Sequence, residues 1–169
     1  MNTWGKTYPT QTNVLYWCDE KAELFLGQDS GVIHRYKCFK EKNLKVCKDL
    51  PDILVHNSSY RIMGLSVDPR VNHLFSISES GYLIVTDLND NSTNMGGKVL
   101  SSQNLSGMKG LKAMIHDLQR NVLFIASGDG TVFIMNSLQT EPETICKIKT
   151  DQAVCIRGLT RSFNLNNFW

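Results

Sequence analysis

Several features are missing from this 169-residue chain, and each absence removes a class of protein. No apolar run approaches the roughly 18 residues that a membrane-spanning helix needs. The opening Met1-Asn2-Thr3-Trp4-Gly5-Lys6 lacks the basic-then-apolar order of a secretory signal. A soluble, cytoplasmic protein is the expectation. No Cys-x-x-Cys pair occurs, and none of His34, His56, His73 and His116 stands four residues from another, so neither a zinc site nor any other metal or cofactor is expected. Charge of one sign is also lacking. The net charge of +2 gives no push toward nucleic acid or membranes. Helical periodicity is nearly absent too, and its best candidate, 109–120, fits a strand at least as well.

The five cysteines, Cys18, Cys38, Cys47, Cys146 and Cys155, are odd in number and scattered. Reduced intracellular thiols are therefore expected rather than a disulfide framework. Three Asn-x-Ser/Thr matches, at Asn57, Asn91 and Asn104, read as chance without a secretory signal.

What is present is a repeat. Acids at Asp19, Asp68 and Asp117 lie 49 and 49 residues apart. The pairs Leu24-Phe25, Leu74-Phe75 and Leu123-Phe124 are spaced by 50 and 49, as are Gly31, Gly81 and Gly130. Three independent markers keeping one period define one structural unit used three times. Within each unit an apolar run ends at the acid, and Leu-Phe opens a second run. A Ser/Asp/Gly turn and a third run such as Val132-Phe133-Ile134-Met135 follow. A weaker fourth run closes each unit, at Leu44–Cys47, Lys98–Leu100 and Ile145–Ile148. Four short antiparallel strands per unit predict propeller blades and an all-β fold. The expected blades are approximately 13–50, 61–103 and 110–150. A fourth begins at 153–169, where Ala153–Thr160 resembles Arg61–Ser66 and the chain reaches Phe168-Trp169. Three and a half blades make an open arc with exposed edges. Two explanations stand: part of a longer polypeptide, or two copies of about seven blades together.

The units resemble degenerate Trp-Asp (WD) repeats. Ser127-Gly128-Asp129-Gly130-Thr131-Val132-Phe133-Ile134-Met135-Asn136 is similar to the family's Ser-Gly-x-Asp-Gly-Thr-Val-x-Ile-Trp-Asp, one residue shorter in the turn. The closing Trp-Asp is Met135-Asn136 there, Thr86-Asp87 in the second unit and Tyr36-Lys37 in the first. The family's Gly-His pair ahead of each first strand is missing. The resemblance therefore implies that the family's His–Ser/Thr–Trp–Asp network is incomplete, with apolar packing carrying the blades. A weaker likeness joins Phe25–Gly31 to WD-repeat endosomal adaptors that also carry a FYVE zinc finger, whose cysteine pairs this sequence lacks.

Chemical readings of the motifs are poor. Gly128-Asp129-Gly130 lacks the third glycine or lysine of a phosphate loop, and β-prone residues follow it. It reads as a tight turn. His116-Asp117 with Ser127 suggests acid–base chemistry, but Asp19 and Asp68 hold the same turn position without a histidine. The histidine reads as incidental. The lysine-rich stretch Lys37–Lys48, with Glu41 inside it, reads as a solvated loop between third and fourth strands, although it could meet anionic headgroups or phosphates. The Phe-Arg-Arg-Gly motif of phosphoinositide-binding propellers is incomplete, because Ile156 precedes Arg157-Gly158.

The expected function is a non-catalytic protein-interaction scaffold. The resemblance implies that one face carries the turns between second and third strands and the connections between blades. Those positions hold Gln28, Asp29, Ser30, Glu79, Ser80 and Asp129, with Tyr60, Arg61, Met108 and Lys109. Tyr60 and Arg61 are of the types that anchor interfaces. A lipid-associated adaptor and a propeller enzyme are the competing readings.

Overall fold

The computed structural model describes residues 10–41, 44–56, 60–89, 96–105 and 110–149. The expected start of a fourth blade, 153–169, lies outside the described residues. Twelve strands and no helix occupy those residues. The first sheet contains β1 (Thr12–Cys18), β2 (Glu23–Gln28), β3 (Ile33–Glu41) and β4 (Leu44–Ile53). The second contains β5 (Ile62–Asp68), β6 (His73–Ser78), β7 (Tyr82–Asp87) and β8 (Lys98–Asn104). The third contains β9 (Leu111–Asp117), β10 (Val122–Ser127), β11 (Thr131–Asn136) and β12 (Glu143–Lys149). Each sheet is antiparallel, with its strands side by side in chain order.

The repeat in sequence is a repeat in backbone geometry. Ala22, Asn72 and Asn121 take positive φ of 47°, 59° and 55° in the turns after the first strands. Their carbonyls accept from the amides of Cys38, Leu88 and Ser137 at 2.8, 3.0 and 2.8 Å. Asparagine adopts this left-handed conformation at low cost, which suits two of the three positions. Gly31, Gly81 and Gly130 have φ of 74°, 93° and 85°. Their amides donate to the carbonyls of Gln28, Ser78 and Ser127 at 3.3, 3.1 and 3.2 Å. Gly128-Asp129-Gly130 is thus a tight reversal between β10 and β11.

The blades stack through two cores. Phe25, Ile33 and Ile53 of the first blade meet Ile62, Val67 and Leu74 of the second. Phe75, Ile77 and Val85 of the second meet Leu123, Ile125 and Phe133 of the third. Leu74 and Phe75 are consecutive, so the pleat sends them to opposite faces and hence to different cores. Burying each such side chain contributes about 1.5–3 kcal/mol. The first strands β1, β5 and β9 lie next to one another on the inner side of the arc.

Two of the three turn acids, Asp68 and Asp117, brace their own turns. The Asp68 carboxylate accepts from the Arg70 amide at 3.0 Å and from its guanidinium at 2.8 and 2.6 Å. The Arg70 hydrogen bonds hold the Asp68 carboxyl below the usual carboxylate range. Asp117 accepts from the amides of Gln119 and Arg120 and from the Arg120 guanidinium at 2.8 Å.

Three expectations are corrected here. Cys38 and Cys47 are joined in a disulfide rather than reduced, while Cys18 and Cys146 are free. Cys155 lies outside the described residues. The pairing arises because 37–48 is largely a hairpin and not a loop: β3 and β4 run on to a Glu41–Leu44 rung, which sets Cys38 opposite Cys47. The third correction concerns the histidines. His56 precedes β5 and its Nε2 lies 2.8 Å from the Ser76 hydroxyl. That hydroxyl donates to the Ile84 carbonyl, leaving the imidazole N–H as donor to Ser76. The second blade therefore holds a His56–Ser76 pair ahead of its first strand, where the sequence reads as lacking the histidine of a Gly-His pair.

Candidate functional site: the upper rim

One rim of the arc, here the upper rim, carries the β2–β3, β6–β7 and β10–β11 turns together with Gln11, Arg61 and Gly110, which enter the three blades. Three equivalent hydrogen bonds build it. The amides of Asp29, Glu79 and Gly128 donate to the carbonyls of Gln11, Arg61 and Gly110 at 3.0, 2.8 and 2.9 Å. Each bond ties a turn to the residue entering the same blade. Arg61 is consequently fixed beside Glu79 and at the boundary with the first blade.

The charges on this rim alternate. Arg61 Nε lies 3.3 Å from Asp29 Oδ1 in the first blade and 3.9 Å from Glu79 Oε2 in its own. Lys112 Nζ of the third blade lies 3.2 Å from Glu79 Oε1. Asp29, Arg61, Glu79 and Lys112 thus form a ladder across three blades. Its members keep side-chain exposures of 25–56%, so each pair contributes at most about 1 kcal/mol. Such a ladder adds little to stability and leaves polar, oriented groups at the surface.

The other expected residues are distributed unevenly. Tyr60 is 43% exposed and stands next to Arg61. Ser80 shares a hydrogen bond with Ser78 at 2.8 Å. Gln28 is buried, 2% exposed, and its amide oxygen accepts from the Thr10 and Ser30 hydroxyls inside the first blade. Asp129 braces its own turn by accepting from the Thr131 amide at 3.0 Å. Partial burial pushes the Asp129 carboxyl up, but hydrogen bonds from Thr131 and Ser127 outweigh this and hold it below the usual range. Met108 and Lys109 lie outside the described residues. Lys112, which completes the ladder, was missed from sequence. Its position two residues after Gly110, equivalent to Arg61 by the repeat, is the signal that would have found it.

The inner side is arranged differently. A cavity of about 590 Å³ lies among β1, β5 and β9, and His116 is part of its wall. His116 is not incidental. Its Nε2 lies 2.8 Å from the Ser137 hydroxyl, its Nδ1 3.3 Å from Ser66, and its ring packs edge-on to Phe75 at 4.8 Å. Burial lowers its pKa to about 4. Ser127 makes its contacts instead with the Gly110 carbonyl and the Asp129 amide, both at 3.4 Å. Among the described residues no group of three or more His, Cys, Asp or Glu side chains is placed to hold a metal.

No known family's sequence profile matches the chain, and no curated protein does. Solved structures do match its fold. A chain in the crystal structure of the Mitotic Checkpoint Complex aligns with a TM-score of 0.67 at 17% identity, over 90% of this chain and 41% of that one. The structure of RRP9 WD40 repeats aligns at 0.66 and 12% identity, over 87% of this chain and 41% of that one. Raptor from Chaetomium thermophilum aligns at 0.66 and 14% identity, over 91% and 14%. This chain spans less than half the length of each. At such identities the likeness is one of fold, and with three stacked four-stranded antiparallel sheets it is that of WD40-type β-propeller blades.

Proposed function

We propose that the chain is a non-catalytic protein-interaction scaffold whose upper rim is the docking surface. The observation that carries this reading is the half-exposed ladder Asp29–Arg61–Glu79–Lys112 spanning three blades, with exposed Tyr60 beside it. Tyrosine and arginine concentrate binding energy at interfaces, and alternating charge fixes register with a partner. Affinity purification with the 169-residue chain as bait tests it. A partner recovered with the unaltered chain falls about tenfold or more with Arg61→Glu, which places a third acid between Asp29 and Glu79. Recovery of no partner above background by a folded bait would count against the scaffold.

Two further surfaces bear on assembly. Leu15 and Trp17, 64% and 42% exposed, lie on the face of the first blade turned away from the second. Ile148, 52% exposed, lies on the corresponding outer face of the third. We propose that both faces are covered by blade-like neighbours, either from a longer chain or from a second copy. Light scattering separates these: a stable, compact dimer supports the second copy, and a monomer or an irregular aggregate supports further blades.

A further inference from the structure

Beside the ladder, Val55, His56 and Tyr60 ahead of β5 and the outer half of the second blade enclose an open groove of about 480 Å³. Its floor is a face of the sheet. Tyr82 stands opposite Asn104, and Ile84 opposite Ser102, in the β7–β8 ladder. Tyr60 and His56 form a wall on the side of the first blade.

Three properties restrict what fits. First, among the described residues no carboxylate, lysine or arginine lines the groove. Its imidazole, His56, is committed to the Ser76 hydroxyl. The neighbouring Arg61 and Lys112 are matched in charge by Asp29 and Glu79. A charged ligand would lose its hydration with no opposite charge to meet it. Second, the floor consists of side chains on a sheet face, with the β7 and β8 backbones already paired to each other. An occupant cannot join as an added strand through this surface, so it must be held by side chains. Third, two tyrosines, 43% and 38% exposed, supply flat apolar faces with hydroxyl donors, and Asn104 adds an amide. A polyproline II segment matches all three, because it carries no internal hydrogen bonds and presents carbonyls outward. It is also pre-ordered, and aromatic grooves with a few donors recognise it.

We propose that this groove binds an uncharged, proline-rich peptide segment in the polyproline II conformation. The proposal rests on the scaffold reading and specifies the kind of segment that its rim takes.

The test is fluorescence anisotropy with the 169-residue chain and labelled peptides of about ten residues, enough for roughly three polyproline II turns. One peptide alternates proline with alanine and leucine. A second replaces alternate residues by lysine or glutamate, and a third is an uncharged Thr/Val peptide that favours strands. Saturable binding is expected for the first alone. Tyr82→Ala should weaken it about tenfold or more, since one of the two aromatic faces is lost. Tyr82→Phe keeps the ring and loses the hydroxyl, so a weakening of about threefold to tenfold is expected. Arg120→Ala on the opposite rim should leave binding unchanged. Tyr82 is partly exposed, so its truncation spares the core, and the thermal melt of each variant verifies folding. Absence of binding, equal binding of the charged or strand-forming peptide, or indifference to Tyr82→Ala would overturn the proposal. If the peptide fails while partner recovery still depends on Arg61, the groove's specificity falls and the scaffold stands. If partner recovery fails as well, both fall.

Discussion

Lowering the pH from 7.5 to 4.5 should shift the urea unfolding midpoint of this chain sharply downward. His56 and His116 are both buried and hydrogen-bonded to serines, and burial lowers each pKa from the ordinary 6.5 to about 4. The unfolded chain binds these protons first as pH falls, so the linkage has a definite sign. The contribution of each neutral imidazole is complete above pH 6.5 and declines as pH falls toward 4, below which it is gone. After allowance for partial solvent contact, each histidine accounts for about 2–3 kcal/mol. Together that is about 4–6 kcal/mol, comparable with the whole stability of a small domain. Asp68, whose folded pKa is depressed by Arg70, adds a separate loss at lower pH. Tryptophan fluorescence in urea series at pH 7.5, 6.0, 5.0 and 4.5 measures the effect, and His116→Gln should remove roughly half of the decline between pH 6.5 and 4.5. A midpoint that stays constant over this range would show that the imidazoles are not held neutral by burial.

Phe75→Ala should be the most damaging single truncation in the interface between the second and third blades. Phe75 is 1% exposed and packs in the second core, against the edge of His116. Losing it removes apolar contacts and leaves a cavity, at a cost of about 3–5 kcal/mol. Water admitted there should also raise the His116 pKa toward 6.5, because burial is the main cause of its depression. Denaturant melts give the first quantity and the histidine ring proton shifts in NMR give the second. Leu15→Ala, at a side chain 64% exposed, is the contrast and should cost less than about 1 kcal/mol. A Phe75→Ala loss as small as that of Leu15→Ala would contradict the stacking of the second and third blades.

The period was legible because each turn needs a residue that few others replace. Glycines at 31, 81 and 130 meet a positive φ, and Asp68 and Asp117 cap amides two or three residues on. Strand number and order followed from those turns. Contacts between blades did not. Leu24-Phe25-Leu26 and Leu123-Phe124-Ile125 are apolar on both faces, so alternation cannot tell which side chain faces which neighbour. His116 meets Ser66 at a separation of 50 residues, and His56 meets Ser76 at 20, only once blades are stacked and paired. The disulfide depended on a hairpin register that the lysines of 37–48 concealed as a solvated loop. On the rim, Arg61 and Glu79 were visible as turn residues, but the burial of Gln28 and the role of Lys112 required the packed arc.

The central claim is that the upper rim, and not the lower one, receives partners. It is tested by placing the photocrosslinker p-benzoylphenylalanine at position 60 in one protein and at position 120 in another. Tyr60 lies on the upper rim, and Arg120, with a side chain 74% exposed, on the lower. After irradiation in cell extract, discrete protein adducts should form from position 60, with none above background from position 120. Adducts of equal yield from both positions, or from position 120 alone, would contradict the account.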